Sequence, residues 1–178
     1  FGINIHYDAI DYHLNHQSII LNEKLIIGLS NAYTTYGWST IYEYIQAVFF
    51  YKDNLVFLHY LNLIFFNLMY SFIFYFVFIN QNLYYKLIGL NLLLFSFLDN
   101  FGIGGGGNAF IQIQMIGKVD IAFGVVFSLT YFLFLHDVIK NEYKRTNFFY
   151  LSFLVLFCIQ LKVFGVYLLV PYIFYFFK

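Results

Sequence analysis

The chain has 178 residues, of which 62% are hydrophobic and 10% charged, and its formal net charge is zero. Soluble domains carry about a quarter of charged residues, so this composition, with a mean hydropathy of +0.73, predicts a membrane protein. Zero net charge and the lack of a basic patch in the sequence argue against nucleic-acid binding.

The polar part of the chain is residues 1–53, which we expect to form an external loop with interfacial helices. The stretch "IDYHLNHQSIILNEK" favours a helix, and a helix that extends back to Asp8 places Asp8 and Asp11 on one face at a spacing of three. Ser39 or Thr40 is placed to cap the amphipathic helix "IYEYIQAVFFY". That helix is too short to cross a bilayer, so we expect it to lie at the membrane surface.

The remaining residues, 54–178, are predicted to form a transmembrane region, so the expected fold is all-α and polytopic. A bilayer requires roughly 20 apolar residues per span. Runs of about that length, or somewhat shorter, predict five hydrophobic helices at about 54–80, 83–98, 119–136, 148–161 and 163–177.

The glycine-rich stretch "GIGGGGNAF" is predicted to be an external loop between the second and third of these helices. It lacks the G-x-x-x-x-G-K-[ST] pattern, so it does not predict a nucleotide-binding P-loop. The distribution of cations assigns "DVIKNEYKRTN" to the cytoplasmic side. That orientation places residues 1–53, the glycine-rich loop and Lys162 on the external face.

The opening stretch "HYDAIDYHLNHQ" concentrates acids and histidines in a chain that is poor in charge. His6, Asp8, Asp11, His13 and His16 are ligand types for zinc or manganese, but no familiar ligand spacing is present. We therefore predict no metal and no cofactor, and leave a divalent cation open. Two carboxylates this close suit a general base, and a solvated interfacial loop is the alternative interpretation.

Three further ionisable residues lie near predicted helix ends on the external face. Lys118 and Asp120, in "IGKVDIAF", flank the start of the third span, and Lys162 separates the last two apolar segments. Charged side chains at helix ends commonly snorkel to the interface. A lysine at a chain reversal can also bind a lipid phosphate as a point charge.

Taken in order, several of these segments resemble bacterial membrane glycosyltransferases of the GT-C type, related to the protein mannosyltransferase and aminoarabinose transferase families. The likeness covers nearly the whole chain and is carried by "YDAIDYHL", "NEKLIIGLSNAYTTYGWSTIYEYIQAVFF", "GKVDIAFGVVFSLTYFL" and "LKVFGVYLLV". It implies transfer of a sugar from a polyprenyl-phosphate-linked donor, at the external face of a bacterial inner membrane, to an acceptor that the sequence does not identify.

The resemblance also implies a role for individual residues. The general base would be Asp8 or Asp11, and the sequence does not choose between them. Residues implied to bind substrate are His13 and Asn31 for the sugar or acceptor, Lys162 and Lys118 for the donor phosphate, and Asp120 beside Lys118. The acidic doublet of the mannosyltransferase branch is absent, since the two aspartates are three apart. A first transmembrane helix and a C-terminal external domain are also missing, so we expect the chain to be a fragment.

The alternative interpretation is a non-catalytic membrane subunit or a piece of a transporter. Such a subunit would direct its acids to water or to partner chains. A transporter would place charged groups near mid-bilayer. Only His59 and Asn62 are interior polar candidates on the first long span, which makes transport the weaker rival.

Overall fold

The structure is a computed structural model that describes residues 13–23, 31, 34, 40–50, 55–100 (55 and 95–100 as backbone only), 119–140, 143 and 145–177. All regular elements among these residues are helical, which confirms the all-helical part of the predicted fold. Asp8, Asp11, Lys118 and the glycine-rich loop lie outside the described residues.

Seven α-helices and three short helical segments follow one another along the described chain. In order they are α1 (Leu14–Asn22), α2 (Ile41–Val48), a 3-10 turn (Leu55–Phe57), α3 (Leu58–Phe74), a π-helical turn (Tyr75–Ile79), α4 (Leu83–Asn100), α5 (Asp120–Lys140), α6 (Arg145–Leu161), a 3-10 segment (Val163–Leu168) and α7 (Leu169–Phe176).

Helix α2 begins after Thr40, one of the two predicted capping residues. Thr40 has extended backbone, and its carbonyl accepts a hydrogen bond from the Glu43 N–H at 3.0 Å. The Thr40 side chain, however, makes no capping hydrogen bond. Helix α2 therefore begins without a side-chain cap from the Thr40 hydroxyl.

Helices α3 and α5 run side by side in the same direction. The Phe132 ring of α5 lies 5.7 Å from Phe72 and 5.8 Å from Phe76. One turn further along α5, the His136 ring lies 6.0 Å from Tyr85, which follows α3 in the chain. The start of α3 is therefore at the same end of the bundle as Asp120, where α5 begins.

The two ends of the bundle can be named after two aspartates of α5. The Asp120 end is the end of the bundle where α5 begins and α6 finishes. Asp137 is at the Asp137 end, where α6 begins and α7 finishes. The helical rise of 1.5 Å per residue separates these two aspartates by about 25 Å.

The core lies where α2, α3, α5, α6 and α7 meet. Its buried residues include Tyr42, Phe65, Val126, Phe134, Leu151 and Leu161. The 3-10 segment after α6 joins this core through Gly165, where a Cβ would lie only 2.5 Å from the Cys158 carbonyl carbon. Glycine is therefore required for the close approach that turns the chain back after Lys162.

Two helical stretches, Leu58–Ile79 and Asp120–Lys140, are long and apolar enough to cross a membrane. Of their respective apolar windows, 22% and 33% are buried inside the protein, so most of each window is left at least partly exposed. The other apolar helices described are shorter: Leu83–Leu94, Arg145–Leu161 and Val163–Phe176. Two of the five predicted spans thus meet this criterion.

The third predicted span ends earlier in the chain than the corresponding helix of the structure, α5. The predicted span ends at about residue 136, just before Asp137, but α5 continues to Lys140 and buries Asp137 to 4% exposure. Burial is possible because Asn147 and Tyr175 donate hydrogen bonds to its carboxylate. Asp137 is therefore an interior residue.

Candidate functional site

The Asp120 end carries an ion pair between two of the predicted substrate-binding residues. Lys162 lies 42 residues after Asp120, and its Nζ donates a hydrogen bond to the Asp120 Oδ1. The two side chains are 33% and 43% exposed, respectively. Exposed pairs of this kind contribute about 0–1 kcal/mol, so the pair costs little to open.

Local backbone structure explains why these two side chains meet. Asp120 is in the first turn of α5, where the partial positive charge of the helix start favours an acid. Lys162 has extended backbone between α6 and the 3-10 segment, and its carbonyl accepts the Gly165 N–H at 2.8 Å. The chain reversal therefore holds the lysine beside the start of α5.

A second polar cluster joins α1 to α2 through one carboxylate. His13 Nδ1 lies 2.6 Å from Glu43 Oε1, and His16 Nδ1 lies 3.0 Å from Glu43 Oε2. Glu43 is only 4% exposed. Each carboxylate oxygen thus has its own imidazole partner. Among the described residues, no group of three or more His, Cys, Asp or Glu side chains is arranged to hold a metal ion.

Two opposing effects set the charge state of Glu43. Burial favours the neutral acid, but hydrogen bonds from His13 and His16 and their charges favour the carboxylate and lower the pKa of Glu43 to about 2. Glu43 is therefore ionised at neutral pH and acts only as a hydrogen-bond acceptor. Both histidines consequently donate through Nδ1.

Further polar contacts continue this cluster towards α3. Gln17 Nε2 donates to Gln46 Oε1 at 2.6 Å, and Gln46 Nε2 donates to the Leu58 carbonyl at 3.4 Å. The Tyr42 hydroxyl donates to Asn62 Oδ1. Burial raises the pKa of Tyr42, which keeps this hydroxyl protonated as a donor.

The Glu43 cluster lies at the Asp120 end of the bundle. Tyr42 is bonded to Asn62, in the second turn of α3, and its ring lies 6.4 Å from that of Phe65. Because α3 and α5 start at the same end, α2 packs at the end where Asp120 meets Lys162. Three of the predicted residues, His13, Asp120 and Lys162, thus share one end of the fold.

The other predicted site residues are distributed differently. Asn31 has helical backbone and an exposed side chain. Asp8, Asp11 and Lys118 lie outside the described residues. Sequence reasoning did not single out Glu43, although the one acid of the amphipathic helix α2 was the available signal.

The Asp137 end has a polar cluster of another kind. The Asp137 Oδ2 accepts hydrogen bonds from Asn147 Nδ2 at 2.9 Å and from the Tyr175 hydroxyl at 3.0 Å, and Oδ1 lies 3.3 Å from His136 Nδ1. These contacts connect α5, α6 and α7. A buried carboxylate held this way joins three helices.

Comparison of the chain with family models, characterised proteins and solved structures gives no match.

Proposed function

We propose that this protein is a membrane glycosyltransferase that moves a sugar from a polyprenyl-phosphate-linked donor to an acceptor hydroxyl. The observation that carries the proposal is the Lys162–Asp120 pair, which presents a partly exposed cation at one end of an apolar helical bundle. A donor whose phosphate must lie at the membrane surface, with its chain in the bilayer, suits such a cation.

The outward apolar surface supports the membrane part of the proposal. Large apolar side chains are exposed along the outer helix faces, among them Phe74, Phe78, Phe149, Tyr150, Phe153 and Val170. Exposed apolar side chains of this size and number are typical of contact with lipid. We assign all five hydrophobic helices to a bacterial inner membrane, with the N-terminal loop and the Asp120 end external.

Lys162 is proposed to hold the donor phosphate, with Lys118 as its second cation. In the structure Asp120 is the partner of the Lys162 ammonium, at the position that we propose for the phosphate. The phosphodiester of the donor carries one negative charge, as a carboxylate does, and its two non-bridging oxygens can accept hydrogen bonds from the ammonium, so it can replace Asp120 as the partner of the lysine. Asp120 is then the group that the donor displaces.

The catalytic base is proposed to be Asp8 or Asp11. Asp11 precedes His13 by two residues, and covalent geometry limits the corresponding Cα atoms to about 7–8 Å apart. His13 is fixed to Glu43 at the end of the bundle that carries Lys162. The closeness of Asp11 to His13 in the sequence supports the proposal of a shared site.

The reaction proposed for this site balances without a cofactor. The aspartate takes the proton of the acceptor hydroxyl as its oxygen attacks the anomeric carbon of the sugar. The bond from that carbon to the phosphate oxygen breaks, and polyprenyl phosphate leaves as the anion. Lys162 stabilises the charge that develops on the phosphate, while His13 and Asn31 position the sugar or the acceptor.

The proposal is tested by measuring sugar transfer from polyprenyl-phosphate sugars in membranes that contain the protein. We expect Asp8→Asn or Asp11→Asn to lower the rate at least about a hundredfold, because general-base catalysis typically contributes that much. Glu23→Gln is the matched control, since Glu23 is an exposed acid at the end of α1. Full transfer by both aspartate variants would refute the mechanism, and no transfer by the unaltered protein would refute the function.

A further inference from the structure

The chain that follows Lys162 is a 3-10 segment, and this geometry sorts its side chains into straight rows. A 3-10 helix has three residues per turn, so side chains three positions apart lie one above the other. One row, Gly165 and Leu168, is buried, and Gly165 packs on the Cys158 backbone. The side chains of the other two rows are apolar and exposed: Val163, Phe164, Val166 and Tyr167. The segment therefore presents two straight apolar rows to its surroundings.

One of the exposed rows is aromatic. The ring centroids of Phe164 and Tyr167 lie 6.4 Å apart, and the two ring planes differ by only 10°. The two residues are 57% and 64% exposed, respectively. Val170, three residues further on in the first turn of α7, is also exposed and continues the row. Two nearly parallel rings followed by a valine thus offer an elongated apolar surface to a ligand.

The aromatic row begins beside the cation that is proposed to hold the donor phosphate. Phe164 follows Lys162 by two residues, so their Cα atoms are at most about 7–8 Å apart. The chain then runs to the Asp137 end, where α7 finishes. From Phe164 to Phe176 the helical rise adds up to about 20 Å, most of a bilayer core of roughly 30 Å. A lipid whose phosphate is bound at Lys162 therefore meets this row with the first part of its chain.

We propose that Phe164, Tyr167 and Val170 bind the first isoprene units of the lipid and make the protein select polyprenyl phosphates over phosphate lipids with saturated acyl chains. This inference rests on the proposed function and specifies which lipid class its phosphate site accepts. Each isoprene unit contains a planar double bond with a methyl branch, which lies flat on an aromatic ring. A saturated acyl chain has no planar unit, so it makes fewer close contacts with the same rings.

The test compares two lipids that share a phosphate monoester headgroup and differ in their chains: polyprenyl phosphate and a phosphatidic acid with saturated chains. Binding is measured in nanodiscs of uncharged lipid, and the unaltered protein should prefer polyprenyl phosphate. Phe164→Ala and Tyr167→Ala should each lower the affinity for polyprenyl phosphate about two- to tenfold, the value of one aromatic contact. Their affinity for the phosphatidic acid should stay unchanged. Tyr167→Leu keeps apolar surface but removes the ring, so it should lose the preference as well.

Phe153→Ala is the matched control, because α6 carries a similar aromatic pair. The Phe153 and Phe157 rings lie 6.2 Å apart with planes 5° apart, and Phe153 is 67% exposed. Phe153 is two residues from the buried Val155, so it lies on the opposite face of α6, away from the core. This variant should keep the full preference. An equal loss of preference in Phe153→Ala and Phe164→Ala would indicate general contact with lipid and overturn the proposal.

Failure of this inference differs from failure of the proposed function. If both lipids bind through Lys162 with equal affinity, the chain selectivity is wrong and the phosphate site stands. If Lys162→Gln binds both lipids as the unaltered protein does, the phosphate site and the chain selectivity fall together. If the preference is present but no sugar is transferred, the row binds polyprenyl phosphate and the transferase function is wrong.

Discussion

Helix α5 carries an aspartate near each end, and the protein treats these two carboxylates in opposite ways. Asp120 is 43% exposed and pairs with Lys162. Asp137 is 4% exposed and accepts hydrogen bonds from two uncharged donors, Asn147 and Tyr175. The exposed ion pair is inexpensive to open, whereas the buried network is expensive to disturb. The two carboxylates therefore differ in exposure and in the type of partner. Asp120 is accessible from outside the protein, whereas Asp137 joins helices.

The largest effect is expected from Asp137→Ala. This change removes the carboxylate that accepts hydrogen bonds from the half-buried Asn147 amide and the buried Tyr175 hydroxyl, so unfolding free energy should fall by about 3–4 kcal/mol. Denaturation in detergent micelles measures the loss, and Asp137→Asn, which keeps one carbonyl oxygen, should lose less. A loss below about 1 kcal/mol for Asp137→Ala would mean that this cluster does not hold the helices.

The next effect is the pH dependence of stability that Glu43 confers. Its pKa is about 2 in the folded protein against 4.5 for the free group. The unfolded chain therefore binds more protons between these values, and stability rises with pH across that interval. The contribution of Glu43, roughly 3 kcal/mol by conversion of the shift, is complete above pH 4.5 and disappears as pH falls through 2.

Glu43→Gln tests this dependence by removing the titrating group. The stability advantage of the unaltered protein over the variant should shrink steadily as denaturation is measured at lower pH from 5 to 2. An advantage that stays constant across this range would show that Glu43 is not ionised against its histidines in the fold.

A smaller effect is expected from Gly165→Ala, which probes the chain reversal beside Lys162. The added Cβ would lie 2.5 Å from Cys158 backbone atoms, and overpacking of this kind costs about 1–3 kcal/mol. Gly124→Ala is the matched control, because a Cβ there meets nothing within 4 Å. Equal stability of the two variants would contradict the close approach of the 3-10 segment to α6.

The smallest effect is expected from Asp120→Asn, which removes the negative partner of Lys162. Without that competitor, affinity for a phosphate-bearing lipid should rise about two- to fivefold, in line with the small free energy of an exposed pair. The gain should diminish as salt is added. Lipid binding that falls in this variant would show that Asp120 helps to bind the lipid rather than competing with it.

The sequence predicts the all-helical fold because long apolar runs leave few other ways to satisfy the backbone in a membrane. It does not predict the burial of Asp137, since the donors that make burial possible lie 10 and 38 residues away. The Glu43 cluster depends in the same way on histidines 27 and 30 residues away. Pairings across such distances follow from helix packing, which local patterns do not encode.

The most direct test of the account is the binding of polyprenyl phosphate to the protein in nanodiscs of uncharged lipid. Lys162→Gln should weaken binding at least about tenfold, because it removes the cation proposed to hold the phosphate. Lys140→Gln, an exposed lysine at the Asp137 end, should bind as the unaltered protein does. Equal binding by all three proteins would contradict the assignment of the Asp120 end as the phosphate site.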